Sequence, residues 1–463
     1  MAIVRDPSFN ALLKVVYEDD KVYNAKYQNS PVLSAIGKEK WYGGDTIEYA
    51  AQYGNGGNFG SVYRTVKNDM TDGVQNVNWK MQQGFVFGLF DIDQPGILQT
   101  SEKRGAYMSE MANKMAGVFD GLSKTLAMYM YGGKFGVFGK VVTAPASSVV
   151  ASGNTMTIQH SAAIKMGKGT RFQIMSGETP NANNIGTAVY TVTKKEGDVI
   201  TFKASVAGES IASGDSIILY TAVAADKTPR GIEGLAELIP SYGDRTGSDW
   251  ETYIATKFRD IDRSDSVQEL AGQFVKAAAS GDTRRTDALV ELLGNTKDAG
   301  GINNLTIVSS RTWNEIGKEL GVQGSLWQAT NGDGANKQGV TVGINNLATA
   351  FGDAFIGRTV IDPYCPEDKA YMLEKEDFKF YDLGNVSKVL NPVSNDQLGK
   401  SNIEDVGDQG FGDKLDASLN IDKLFNVSQG EAGDYSDKYV ISANIYGNFK
   451  LSKTTSSGVA SIA

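Results

Sequence analysis

The sequence predicts an α+β chain. An extended hairpin leads into one long helix, a small β-rich region is inserted, and an α/β portion follows. Three observations carry this. Residues 43–90 are rich in glycine and aromatics, with Val77, Trp79, Met81, Phe85, Phe87 and Leu89 on alternate positions, the period of a half-buried strand. Residues 102–131 place Met108, Met111, Met115, Val118, Phe119, Leu122, Leu126 and Tyr129 at spacings of three and four, the stripe of a helix with one buried face. Residues 141–222 show short strand-like runs broken by Gly and Asn, with no helical period.

The elements follow in order. Residues 1–40 read as an arm: a short helix at 10–17 (NALLKVVY), then Pro31 opening a run closed by Gly37. Residues 41–95 read as a two-stranded flap with residues 54–60 (GNGGNFG) as its tip. An isolated hairpin is marginal in water, so the flap should lie on something. About 30 residues of continuous helix at 102–131 would span about 45 Å. Gly105, Gly117 and Gly121 each weaken it by roughly 1 kcal/mol against alanine, or mark close backbone approach.

Within 141–222, strands are expected at 155–158, 171–174, 187–193, 199–203 and 216–220, forming a small β-barrel or sandwich. Beyond it, residues 266–269 (SVQE) form a capping box opening a helix whose apolar face holds Leu270, Phe274 and Val275, with Gly281 as its stop. A second helix holds Leu289, Leu292 and Leu293 before Gly294. A strand at 305–308 precedes a helix capped by Ser310 and ending at Gly321, with Trp313, Ile316 and Leu320 on one face. Strands follow at 355–360, 370–373 and 378–381. The polar stretch 391–434 is a linker or surface extension, and 439–446 is the last strand.

The 463 residues suffice for two or three cored domains, and 41% hydrophobic and 21% charged residues are ordinary globular values. A net charge of −9 argues against a basic nucleic-acid-binding surface. Fifty-three glycines against 10 prolines favour turns and strands over a helical bundle. One cysteine, Cys365, allows no disulfide within the chain and fits a cytosolic folding compartment. No apolar signal core opens the sequence, and no run reaches the ~18 apolar residues of a membrane span.

Chemistry is sparse. A Ser-His-Asp triad would need His160, the one histidine, on the strand reaching 160; no Gly-x-Ser-x-Gly elbow accompanies it. Cys365, in DPYCP, has no local basic partner to lower its pKa. The GNGGNFG tip misses Gly-x-Gly-x-x-Gly, and residues 332–337 miss the P-loop spacing. Asp91/Asp93 and Asp260/Asp262 are carboxylate pairs without a third ligand at loop spacing, so they read as solvated pairs. No catalytic, metal or cofactor set emerges, and the chain is read as a non-enzyme. The dense aromatics of the flap, Trp41, Tyr49, Tyr53, Phe59 and Tyr63, are followed by few cations, Arg64 and Lys67. Stacking on nucleic acid would want more, so they fit contact with a neighbouring subunit, with Arg64 beside them.

The order of parts resembles the major capsid proteins of tailed bacteriophages, the Hong Kong 97-like capsid fold. The similar stretches are FNALL at 9–13, VYNAKYQNSPVLSAI at 22–36 before Gly43-Gly44, QYG at 52–54, and LAMYMYGG at 126–133 followed by residues 136–141. The resemblance implies an N-terminal arm (1–40), an extended loop (41–95), a peripheral domain with a spine helix (96–140), a β-rich insertion domain (141–222), peripheral and axial helices (223–300), an axial domain (301–390), and a surface extension with closing strands (391–463). It implies a virion capsid protein made in the host bacterial cytoplasm, self-assembling into pentamers and hexamers of an icosahedral shell around double-stranded DNA. The DNA is met by proximity only, and no membrane is involved. The implied further partners are portal and decoration or auxiliary head proteins and, since no long helical segment precedes the arm, a separate scaffolding protein or none. The cross-linking lysine and asparagine of some members have no identifiable counterpart here. The alternative is a surface or secreted binding protein with an Ig-like or carbohydrate-binding module at 141–222.

Overall fold

The computed structural model describes residues 30–42, 44–53, 60–68, 75–93, 110–146, 148–177, 181–220, 228–241, 248–276, 284–322, 328–329, 340–341, 358–382, 418–422 and 438–462. The chain divides into two compact units. The larger holds residues 30–84, 127–381 and 448–463; the smaller holds 1–29, 85–126 and 382–447.

The hairpin belongs to the larger unit. Strands Thr46–Tyr53 and Gln75–Gln82 run antiparallel in unbroken register, from Thr46 opposite Gln82 to Tyr53 opposite Gln75. Ile47, Trp79 and Met81 point inward. The alternation does not continue through residue 89 as expected. Gln83 separates the hairpin from the next strand, Gly84–Asp93, and inward parity moves to Gly84 and Val86. Gly84 sits so close to Ile232 that a Cβ would lie 2.8 Å from the Ile232 Cα, so a side chain has no room there. The short helix Tyr63–Asn68 interrupts the link between the hairpin strands and buries nothing.

The long helix is Glu110–Gly132, 23 residues, about 35 Å; the expected start at 102 lies outside the described residues. Its last turn is buried, from Ala127 to Tyr131. It stops where Gly133 turns left-handed at φ 66° and donates its N–H to the Tyr129 carbonyl. Residues 30–40, expected as part of an arm, are built into the larger unit. Helix Pro31–Ala35 is capped by Ser30, whose Oγ accepts from Leu33 N–H at 3.2 Å, and Val32, Leu33 and Ile36 are buried. The expected helix at 10–17 lies outside the described residues.

The β-rich region is a closed six-stranded barrel. Around the ring come Ser216–Leu219, Val137–Thr143, Asn154–Ile158, Val199–Ala204, Tyr190–Glu196 and Arg171–Met175. The first strand begins at Val137, four residues before the expected boundary. The barrel is filled by Phe172, Tyr190 and Phe202, ring centroids 5.3 to 5.8 Å apart, with Met156, Ile200 and Ile217. One short helix, His160–Lys165, interrupts the strands where none was expected, so His160 opens a helix instead of ending a strand.

The α/β core is a five-stranded sheet in the order Gln273–Lys276, Gly458–Ser461, Lys369–Leu373, Leu305–Val308, Arg358–Ile361. Its outer pairs are parallel and its two central pairs antiparallel. Helix Arg285–Asp298 packs Leu289, Leu292 and Leu293 against it, beside Ile316 and Trp313 of helix Ser310–Val322. Three expectations are corrected here. The helix opened at Ser266 runs only Val267–Ala271, because Gly272 at φ 79° ends it, and Phe274 and Val275 belong to the parallel edge strand. The helix with Leu289 passes through Gly294 and stops before Gly300 at φ 81°. The cap of the third helix is Ser309, not Ser310: its Oγ accepts from Thr312 N–H at 3.1 Å. A separate two-stranded pair joins Gln328–Ala329 and Val340–Thr341.

Strand Ser418–Asp422, in the smaller unit, pairs antiparallel with strand Lys438–Leu451, Ser418 opposite Asn444 and Asp422 opposite Val440, and Gly84–Asp93 pairs with that same long strand. Ser418–Asp422 falls inside the stretch expected as a linker; the rest of 391–434 lies outside the described residues. Phe85 and Phe87 stack at 6.2 Å, and both meet the edge of Tyr446, at 5.6 and 6.1 Å.

Candidate inter-subunit surface

The hairpin is anchored at its base by one arginine. Arg259, its side chain buried, holds a left-handed φ of 52° at the turn before Ile261. From there Nε donates to Glu233 Oε2 (2.8 Å), Nη1 to the Tyr49 hydroxyl (2.7 Å) and Nη2 to the Phe449 carbonyl (2.7 Å). Burial pulls its pKa down, but Tyr49 and Glu233 outweigh this, and the guanidinium stays charged. Tyr49 stacks on Trp79 at 6.3 Å, and Trp79 meets Phe258 edge-on at 6.0 Å. Lys80 N–H donates to the Arg259 carbonyl at 3.2 Å, tying a hairpin strand to the same turn.

This sorts the aromatic residues singled out in the sequence. Trp41 is spent within its own chain: 7% exposed, packed with Ile47, Met81 and Tyr381, its Nε1 donating to the Gly44 carbonyl at 3.0 Å. Tyr49 is spent on Arg259 and Trp79. Tyr53 ends a hairpin strand, and Phe59 lies outside the described residues. Tyr63 is 80% exposed and Arg64 is exposed beside it, both on the short helix that buries nothing. Val62 and Tyr42 are exposed as well. The paired strands are therefore held internally at Tyr49 and Trp79, and the exposed aromatics flank them: Tyr42 ahead of the first strand, Tyr63 on the link between the two. Sequence reasoning passed over Arg259 as an anchor. Its signal is the run FRDID, in which Arg259 and Asp260 both take positive φ.

The other candidates resolve into structural roles. Asp260 pairs with Lys80 at 3.2 Å, and Asp262 accepts from Ser264 N–H and Oγ at 2.9 and 2.6 Å, capping a turn. Asp91 and Asp93 lie on strand Gly84–Asp93. His160 Nδ1 is 2.6 Å from Asp198 Oδ1 at the barrel surface. Cys365 is buried with its Sγ 3.6 Å from the Lys369 carbonyl oxygen, and burial pushes its thiol pKa well up, the opposite of an activated nucleophile.

The barrel is fastened to the α/β sheet by polar contacts. Lys140 Nζ meets Asp368 Oδ2 at 2.7 Å, Ser161 N–H donates to Glu367 Oε1 at 2.8 Å, and Arg311 bridges Asp198 and Glu367 at 3.6 and 3.5 Å. Beneath them Asp362 accepts from the Tyr131 hydroxyl (3.0 Å), from Tyr364 N–H (2.9 Å) and from the Ser30 hydroxyl. Burial nonetheless holds its carboxyl above the usual carboxylate range.

No family model matches the sequence, and no curated protein matches it. Among solved structures, the chain is similar to one from the cyanophage A-1(L) capsid asymmetric unit, at 13% identity and a TM-score of 0.52, over 96% of this chain and 95% of that one. Chains from the capsid of Myoviridae phage XM1 (7% identity, TM-score 0.43, 97% of each chain) and from Mycobacterium phage Adephagia (10%, 0.39, 95% of this chain and 91% of that one) align over similar lengths. The first likeness establishes the class: the chain has a phage capsid fold. The order of parts read in the sequence resembles the same class. Among the described residues, no helix is long and apolar enough to cross a membrane.

Proposed function

We propose that this chain is the major capsid protein of a tailed phage, with a Hong Kong 97-like arrangement of extended loop, spine helix, peripheral and axial domains. In this role it assembles with copies of itself into pentamers and hexamers of an icosahedral shell enclosing double-stranded DNA. Assembly takes place in the host cytoplasm, with portal, decoration and any scaffolding proteins as further partners. The observation that carries the reading is the likeness to the cyanophage capsid chain along nearly the whole of both chains. The barrel is the inserted domain, and its closure into one ring differs from the two facing sheets of an Ig-like module.

The work is mechanical. A shell subunit must present surface to neighbours without unfolding itself. Here the hairpin is fixed through Tyr49 by Arg259, and the exposed Tyr63 and Arg64 supply the contact with the next copy. Apolar contact stabilises such a lattice by about 25 cal/mol per Å² buried. A chain of net charge −9 meets packaged DNA without gripping it, because phosphate binding requires Lys and Arg. Expression of the chain, alone and with the scaffolding proteins of related phages, followed by negative-stain electron microscopy, tests this. Shells or capsomer rings are expected; a persistent monomer under every condition overturns it.

A further inference from the structure

The C-terminal end of the long helix is gripped by a segment that leaves no space for side chains. A Cβ on Gly234 would lie 2.0 Å from the Tyr129 carbonyl oxygen, one on Gly231 2.5 Å from that of Lys134, and one on Gly132 2.2 Å from that of Val137. Into this junction residue 237 inserts a glutamate. Its Cδ lies 2.8 Å from where a Gly133 Cβ would be, and it is 2% exposed. Lys134 N–H donates to the carboxyl, and Oε2 has no hydrogen-bond partner. The last turn of a helix carries partial negative charge, so an anion placed there is opposed. An unpartnered buried carboxyl oxygen is far costlier charged than neutral.

We propose that Glu237 is a protonation-dependent clasp on this helix end. Neutral, it seals the turn at residues 133–136 against the segment 231–238; ionised, it favours release of that turn.

The groups around it fit the assignment. Glu233 adds a second negative charge, but Arg259 holds it at 2.8 Å. Arg259 and Lys134 pull toward ionisation, Lys134 from a half-buried position in the turn itself. Arg263 donates Nη1 to the Glu237 main-chain carbonyl at 2.7 Å and lies over the Phe258 ring at 4.5 Å and the Tyr253 ring at 5.8 Å. Tyr129 and Tyr253 are held neutral by burial. Burial is the largest influence on Glu237 and pushes its carboxyl up to about 7, from an ordinary 4.5. The sign follows: with the closed-state value raised, the contribution to closure is complete below 4.5 and is lost by about 7, with no further change above. In that window the opening equilibrium rises about tenfold per pH unit.

Hydrogen exchange of the Gly133 and Gly136 amides tests this, because both are bonded within the turn, to the Tyr129 and Gly133 carbonyls. In the wild-type chain, protection corrected for intrinsic exchange should fall about tenfold per pH unit between pH 5 and 7, then level off. In Glu237→Gln, which mimics the neutral form, it should stay flat. Flat wild-type protection, or the same slope in both proteins, overturns the proposal. Should the variant not fold, the wild-type profile decides alone.

Discussion

The barrel and the hairpin are both antiparallel β structure in one compact unit, yet they solve the problem of burial in opposite ways. The barrel closes its ring, so no strand edge is left, and its aromatic trio fills its own interior. The hairpin has two strands and cannot bury both faces. Its base is held by Arg259, Trp79 and Phe258, and its far end carries exposed Tyr63 and Arg64. The two regions therefore meet another molecule in different ways. A closed barrel keeps its stability inside and offers only surface side chains, whereas a hairpin anchored at one end offers its remaining length to a neighbour.

The largest effect that would break this contrast lies in the barrel. Phe202→Ala removes the ring that meets both Phe172 and Tyr190 and should cost about 3–5 kcal/mol. Hydrogen exchange should localise the loss to residues 137–219 and leave the hairpin strands protected. Equal loss in both regions would show that they unfold as one. Arg259→Met comes next. It leaves Glu233 without its guanidinium, which for a fully buried pair costs about 3–5 kcal/mol. Glu233 is 17% exposed and also accepts from Asn448 Nδ2 at 3.1 Å, so about 3 kcal/mol is expected, read by thermal unfolding, with hairpin protection lost first.

How far the sequence showed these two regions also differs. The five expected barrel strands all appear, because Gly and Asn breaks and short β-branched runs are local signals. What was missed is Val137–Thr143, most of which falls before the expected insert boundary at 141 but which closes the ring. In the hairpin, the period of two was legible through Met81 and failed at Gln83, where one residue outside the pairing reverses the faces. Trp41 and Tyr49 looked like contact residues because composition cannot tell an aromatic that meets its own chain from one that meets a neighbour. For Tyr49 that decision rests on Arg259, 210 residues away in sequence, and for Trp41 on its packing with Tyr381. The edge strand Gln273–Lys276 and the short helix Val267–Ala271 before it were likewise set by long-range parallel pairing with Gly458–Ser461 that a single-sequence pattern does not encode.

Smaller changes sharpen the contrast at the hairpin. Tyr49→Phe removes only the hydroxyl that accepts from Arg259 and should cost about 1–2 kcal/mol in chemical denaturation, with no change in barrel protection. Tyr63→Ser together with Arg64→Ser touches no buried contact, so stability should stay within about 0.5 kcal/mol, while association between copies should fall when followed by sedimentation velocity. A stability loss above 1 kcal/mol would place these residues in their own fold and remove them from the proposed contact.

The most direct measurement is a cryo-electron-microscopy reconstruction of particles assembled from this chain. A closed shell is expected in which Tyr63 and Arg64 of each copy lie against an adjacent copy, while Arg259 of the same copy still holds Tyr49. Particles in which Tyr63 and Arg64 touch only their own chain, or a chain that forms no shell under any assembly condition, would contradict it.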